Sequence, residues 1–219
     1  MSDVNYNPKM LAAKEKLLER FRSQAPPRES EIEGQRLPPG QHLTSGFPVL
    51  DLGVRPPVNL ETWSLDVTGE VATPLRLSWE EFRALPRSRE VRDFHCVTTW
   101  SKYDVRWGGV LFRVIAERAG LKPSAQFVIA TGGEGYTTNL PLEDCMRDDV
   151  ILADELDGKP LPLEHGGPVR LVVPHLYAWK SAKFLCGLRF SAKDEPGFWE
   201  VRGYHNYGDP WRQQRYQGR

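Results

Sequence analysis

Scarcity narrows the possibilities first. The chain has three cysteines among 219 residues and no C-x-x-C pair. That argues against a disulfide framework and against a zinc knuckle. Lys plus Arg and Asp plus Glu each number 29, so formal net charge is zero and no broad basic field exists for nucleic acid. No apolar run is long enough to span a bilayer. Residues 1–9 are polar and contain no signal-peptide hydrophobic core. The expectation is a soluble, cytoplasmic protein with neither nucleic-acid nor membrane partners. The five histidines (His42, His95, His165, His175, His205) show neither HExxH nor HxH spacing, against a metal hydrolase. A serine nucleophile elbow and an internal repeat are also missing.

What is present favours strands and loops. The 19 glycines, 18 prolines and 7 tryptophans suit a strand-rich fold better than a helical bundle. Residues 10–21 read as a helix, with Met10, Leu11, Lys14, Leu17, Leu18 and Phe21 on one stripe. Prolines at 26, 27, 38 and 39 make 24–48 an extended arm. Strands are expected at 63–67, 91–97, 127–130, 169–173 and 184–190, with a hairpin over 151–161 turning at Asp157-Gly158. Ser78 and Glu81 form a capping box for a short helix. A further helix is expected over 110–119, stopped by Gly120. Without a regular βαβ rhythm, the class is α+β, with mixed β-sheets and short flanking helices. The expected division is an arm (1–49), a compact domain (50–194) and an aromatic-rich tail (195–219) packed on the domain.

Two segments carry chemistry. The first is Phe94-His95-Cys96-Val97-Thr98-Thr99-Trp100-Ser101. Cys96 reads either as a small buried apolar residue or as a thiolate favoured by Arg92, His95 and Lys102. Such a thiolate serves as nucleophile or as soft metal ligand. Cys145 and Cys186, in apolar surroundings, read as core. The second segment runs from His165-Gly166-Gly167-Pro168-Val169-Arg170 to Lys180-Ser181-Ala182-Lys183. Its glycines permit close backbone approach, and Arg170, Ser181 and Lys183 are phosphate donors. Lys180 by itself reads as a solvated basic edge. A soft ligand and a phosphate cradle together suggest one cofactor bearing both metal and phosphate. A weaker signal is 131–138, glycines and hydroxyls directly after a strand, which reads as a ligand-facing loop. Two rivals stay open: a metal-free Cys–His hydrolase pairing Cys96 with His165 or His205, and a non-catalytic binding module using the aromatic tail.

The first segment, followed by Trp107-Gly108-Gly109-Val110, resembles the molybdenum-ligand segment of the oxidoreductase molybdopterin-binding (sulfite oxidase) family. The second, with Leu171-Val172-Val173-Pro174, resembles that family's pterin-phosphate segment. The resemblance implies the sulfite oxidase fold and a mononuclear molybdenum on one molybdopterin, with Cys96 as the protein ligand. It implies pterin contacts from Thr131, His165, Arg170, Ser181, Ala182 and Lys183, and from an upstream segment matched by Thr44 and Ser45. The run after Cys96 is closer to the bacterial branch that includes the protein-methionine-sulfoxide reductase. It offers only Lys102 where sulfite-oxidising members place arginines. The implied activity is two-electron oxo transfer on a small or sulfur-containing substrate. His95, Lys102 and Tyr136 are expected near the substrate. No haem, flavin or iron–sulfur motif is visible, so an electron donor or acceptor is an expected partner.

Overall fold

The computed structural model describes residues 4, 6–21 and 35–218, the side chains of 17–21 excepted. Two mixed sheets carry the architecture. The six-stranded sheet holds β1 (His42–Leu43), β4 (Ser88–His95), β5 (Trp100–Leu111), β8 (Ile151–Leu156), β9 (Lys159–Pro160) and β10 (Arg170–Val172). The five-stranded sheet contains β2 (Ser64–Gly69), β3 (Leu75–Ser78), β6 (Phe127–Gly132), β7 (Thr137–Pro141) and β11 (Leu185–Ser191), in the order β3-β2-β11-β6-β7. The pairs β1–β5 and β2–β11 are parallel; the others are antiparallel. The helices are α1 (Pro8–Phe21), α2 (Trp79–Arg83), α3 (Phe112–Ala119) and α4 (Leu142–Cys145). This is the α+β class expected from the sequence.

Most expected elements form, for the expected reasons. The capping box at α2 is complete: Glu81 N–H donates to Ser78 Oγ at 3.2 Å, and Ser78 N–H donates to Glu81 Oε2 at 2.8 Å. Helix α3 stops at Gly120, whose φ of 66° is cheap only without a Cβ. Phe112 on α3 meets Phe190 of β11 at 5.9 Å between ring centroids, bringing elements of the two sheets together. In α1, Met10, Leu11 and Lys14 are described; Leu17, Leu18 and Phe21 of the same stripe lie outside the described side chains. Part of the expected arm, 22–34, also lies outside the description.

Four expectations need correction. The helix over 110–119 begins only at Phe112, because Val110 and Leu111 finish β5. That twelve-residue strand was not anticipated. Its Gly108-Gly109 pair resembles a turn, yet it lets β8 approach: a Cβ at Gly109 would run into the Leu152 carbonyl. Second, β4 ends at His95, so Cys96 and Val97 leave the strand. Third, 131–138 is not a loop throughout. Thr131 pairs with Thr137 in the β6–β7 hairpin, which leaves only residues 133–136 at its tip. Fourth, Lys180 is no solvated edge. It is fully buried and meets the equally buried Glu200 at 2.7 Å. The strand-period pattern could not show this, because the partner comes from the tail.

That pair fastens the tail. Glu200 Oε1 also accepts from Thr138 Oγ1 at 2.9 Å and Trp179 Nε1 at 3.0 Å. Around it Phe198, Trp199, Tyr204 and Tyr216 are buried. Removing one member leaves the other charge buried without its counterion. Lys180→Met should therefore lower unfolding free energy by about 3–5 kcal/mol in urea titration, while an exposed control such as Lys193→Met shifts it little.

Candidate functional site

Cys96 sits at the tip of the β4–β5 hairpin. Cys96 N–H donates to the Trp100 carbonyl at 2.9 Å, and Thr99 N–H to the Cys96 carbonyl at 3.1 Å, closing a tight turn. Thr99 takes φ of 75°, an uncommon conformation for a β-branched residue. Distant segments hold the tip in place. Gln41 Nε2 donates to the Cys96 carbonyl at 3.1 Å, His42 N–H to the Thr99 carbonyl at 2.8 Å, and Arg215 Nη1 to the Val97 carbonyl at 2.7 Å. The sulfur lies 3.1 Å from Thr98 Oγ1. Burial pushes the thiol above its usual range, while hydrogen bonds from Thr98 and the charges of Lys14 and Arg215 work the other way.

The basic segment packs against that tip. Arg170 is 2 % exposed, and its guanidinium donates to the carbonyls of His165 at 2.8 Å and Ser181 at 3.1 Å. It also lies over the rings of Phe94 and Trp107, 5.0 and 5.3 Å from their centroids. Burial pulls it down to about 9, although Cys96 favours its charge. Ser181 Oγ accepts from Val173 N–H at 2.9 Å, which leaves its own proton available. Lys183 Nζ donates to the Glu164 carbonyl at 2.7 Å, and its stem lies against Gly166, where a Cβ would meet Lys183 Cγ at 2.7 Å. Burial and the neighbouring Arg170 bring Lys183 down to about 7. The His165 ring stacks on Phe47 at 4.5 Å, and burial followed by Lys183 lowers its basicity.

These elements line one cleft that opens to solvent. Of the residues proposed from sequence, Cys96, Tyr136, His165, Arg170, Ser181 and Lys183 stand on its wall. The Tyr136 hydroxyl is committed: it donates to the Trp179 carbonyl at 2.5 Å. The others lie off the wall. His95 is buried behind the hairpin, 2.8 Å from Ser101 Oγ, and burial pushes it down to about 4. Lys102 donates to the Ser45 carbonyl at 3.0 Å. Thr44 N–H donates to the Ser101 carbonyl at 3.0 Å, Ser45 is exposed, and Phe47 and Pro48 reach the cleft in their place. Thr131 belongs to the β6 ladder, where its carbonyl accepts from Cys186 Sγ at 3.5 Å. Ala182 is buried, with its carbonyl accepting from Leu171 N–H at 2.9 Å.

Sequence reading missed several wall residues. Trp100, Trp179, Trp199 and Tyr204 give the cleft an aromatic lining, and Lys14 and Glu134 add charge. Glu134 is pushed up to about 7 by burial, against the pull of Lys183. Only its position after a strand and beside glycines marked that segment.

A phosphate-bearing cofactor needs cations and hydrogen-bond donors that are not already committed to carboxylates. Arg170 is a buried cation and Lys183 a half-buried one; their described hydrogen bonds go to carbonyls, and Asp51 favours the Lys183 charge without such a bond. An incoming anion offsets that cost. Trp100, on the same wall, has a buried Nε1–H without a hydrogen-bond partner among the described residues. Among the described residues no group of three or more His, Cys, Asp or Glu could hold a metal. A metal at Cys96 therefore needs ligands from a cofactor. The residues fit such a group.

Comparison with known proteins decides the family. A model for the oxidoreductase molybdopterin binding domain matches residues 52–199. The chain belongs to this family. It is an enzyme of the sulfite oxidase-like group, and membership implies a molybdopterin cofactor. It is 48% identical over 190 residues to the uncharacterized oxidoreductase YuiH of Bacillus subtilis, covering 86% of this chain and 96% of the relative. It is 30% identical over 167 residues to the catalytic subunit of the protein-methionine-sulfoxide reductase MsrP of Campylobacter jejuni, covering 68% of this chain but 56% of that protein. The chain thus spans little more than half of that reductase. The crystal structure of the sulfane dehydrogenase SoxCD from Paracoccus pantotrophus aligns with a TM-score of 0.60 and 25% identity, over 65% of this chain and 41% of that one. The fold is sulfite oxidase-like.

Lys183 makes a pH prediction. Its folded value of about 7 lies below the ordinary 10.5, so between these limits the unfolded chain binds more protons and stability rises with pH. The penalty is full below the folded value. In cofactor-free protein, Lys183→Met should raise the urea midpoint relative to wild type at about pH 6, and this advantage should shrink by about pH 9.

Proposed function

We propose that this protein is a molybdenum enzyme carrying one molybdopterin and catalysing two-electron oxo transfer at a sulfur-containing substrate. The observation that carries the reading is convergence. A lone thiol from one segment and, from another, the buried Arg170 and half-buried Lys183, whose described hydrogen bonds go to carbonyls, share one cleft. When bound, the cofactor would supply the redox centre at which oxygen is exchanged with the substrate sulfur.

The chain's own residues have separable tasks in this reading. Cys96 offers a soft sulfur donor, delivered by a turn whose carbonyls are tied to Gln41, His42 and Arg215. Arg170, Lys183, Ser181 and His165 hold the phosphate end. The tryptophans and Tyr204 keep water away and suit a polarizable thioether or its oxide. Glu134 holds a proton at its carboxyl near neutral pH within the wall. The names of the reductase relatives support sulfoxide reduction as the direction. In that direction a sulfoxide, two electrons from a partner protein or carrier and two protons yield a thioether and water.

The Cys–His hydrolase reading is weaker on geometry. The sulfur contacts Thr98, and His205 Nδ1 accepts from the N–H groups of Tyr207 and Gly208 at 3.0 and 3.2 Å. A base-activated thiol needs an imidazole within hydrogen-bond reach.

Protein from a molybdopterin-producing host should contain molybdenum and pterin. Cys96→Ser should keep most of the pterin, lose the sulfur-to-metal visible absorption and reduce methyl sulfoxide turnover by about 100-fold or more. Arg170→Met should instead lose the pterin. Unchanged absorption and rate in Cys96→Ser would refute the assignment.

A further inference from the structure

Helix α1 lies outside the stretch matched by the family model, which begins at residue 52. It nevertheless reaches the cleft. Asn7 N–H donates to the Leu52 carbonyl at 2.7 Å, and Asn7 and Met10 pack on Gly53. On the other side the Tyr6 ring lies 6.0 Å from that of Phe198. The helix therefore bridges the 51–53 segment and the tail, and Asp51, Leu52 and Trp199 are themselves cleft residues. Ala12, Ala13, Glu15 and Lys16 face solvent, whereas Leu11 and Lys14 turn inward.

Lys14 is the chemically informative position. Its Nζ donates to the Asp51 carbonyl at 2.7 Å and stands 5.3 Å from the centroid of the Trp199 ring. An ammonium has three donors, and a single carbonyl does not satisfy them. The nearby Asp51 carboxylate is already committed, to Arg55 Nε and to Gly53 N–H, each at 2.9 Å. Burial works against the Lys14 charge, while Cys96 and, less, the Asp51 carboxylate favour it. Lys14 also adds to the repulsion felt by Lys183. A carbonyl and a ring face leave a half-buried ammonium with donors to spare on the wall that also carries Lys183.

We propose that Lys14 is an additional anion-binding residue of the cleft, carried on a helix that roofs the bound molybdopterin and slows its escape. This rests on the cofactor reading above, and it assigns a task to a segment that the family model does not cover. An anionic cofactor placed between Lys14, Arg170 and Lys183 turns mutual repulsion into attraction. The Lys14 stem stays packed on Trp199 while its head faces the ligand.

The test measures retention rather than turnover. Cofactor-loaded wild type, Lys14→Met, Lys14→Arg and the exposed control Lys16→Met are dialysed, and the pterin left per protein is followed by fluorescence after oxidation. Loss should be about tenfold faster in Lys14→Met, as for one charge-assisted hydrogen bond, with Lys14→Arg and Lys16→Met near wild type. Methionine keeps the stem, so packing is preserved. Should Lys14→Met fail to fold, trypsin on the wild type probes the same contact. Cleavage after Lys9, Lys14 and Lys16 should be slower in loaded than in cofactor-free protein. Loaded wild type and Lys14→Met that lose pterin equally fast, or equal cleavage with and without cofactor, would overturn this inference alone. Wild type that holds no pterin would overturn the cofactor reading as well.

Discussion

The guanidinium of Arg170 is the tie on which the site depends. Burying a full positive charge costs several kcal/mol unless the surroundings replace water. Besides the more distant Leu171 carbonyl at 3.5 Å, replacement comes chiefly from the carbonyls of His165 and Ser181 and the ring faces of Phe94 and Trp107. Those four partners come from both chemical segments. Satisfying one cation therefore brings the hairpin that carries Cys96 against the loop that carries Lys183. No carboxylate is recorded against that guanidinium, so its charge remains available to an anion. Lys183, hydrogen-bonded to the Glu164 carbonyl, adds a second basic group to the same wall.

A second constraint keeps the thiol in place. A four-residue tip cannot by itself define where a sulfur points, and the left-handed Thr99 makes the turn costly. Gln41 from the arm and Arg215 from the tail clasp its carbonyls. The tail is in turn fastened by the buried Lys180–Glu200 pair, whose carboxylate also orients Trp179. Trp179, Trp199 and Tyr204 form cleft wall through that attachment. The extremes of the chain thus complete a site whose chemical groups lie in its middle.

Much of this was legible because residue types announce chemistry. Cys96, His165, Arg170, Ser181 and Lys183 stood out as a soft ligand and a set of phosphate donors, and all five line one cleft. Thr131 and Ala182 come from the family resemblance rather than from their own chemistry, and they do not stand on the cleft wall. Thr44 and Ser45 are matched to an upstream segment of the family, whereas Phe47, three residues beyond Thr44, is the residue that stacks on His165. Lys14 was visible only as one position on a helical stripe. Strand β5 was hidden because Gly108-Gly109 reads locally as a turn, and only the approach of β8 explains it.

Sequence alone determined the α+β class, most strand and helix positions, and which residues carry sulfur, positive charge and hydroxyls. Those are local properties, set by periodicity, capping and side-chain chemistry. Tertiary structure decided which of those groups share a cavity, that Lys180 is a buried counterion, and that α1 and the tail meet over the cleft. Those outcomes depend on which distant segment satisfies each buried charge and carbonyl, and no local pattern encodes that choice.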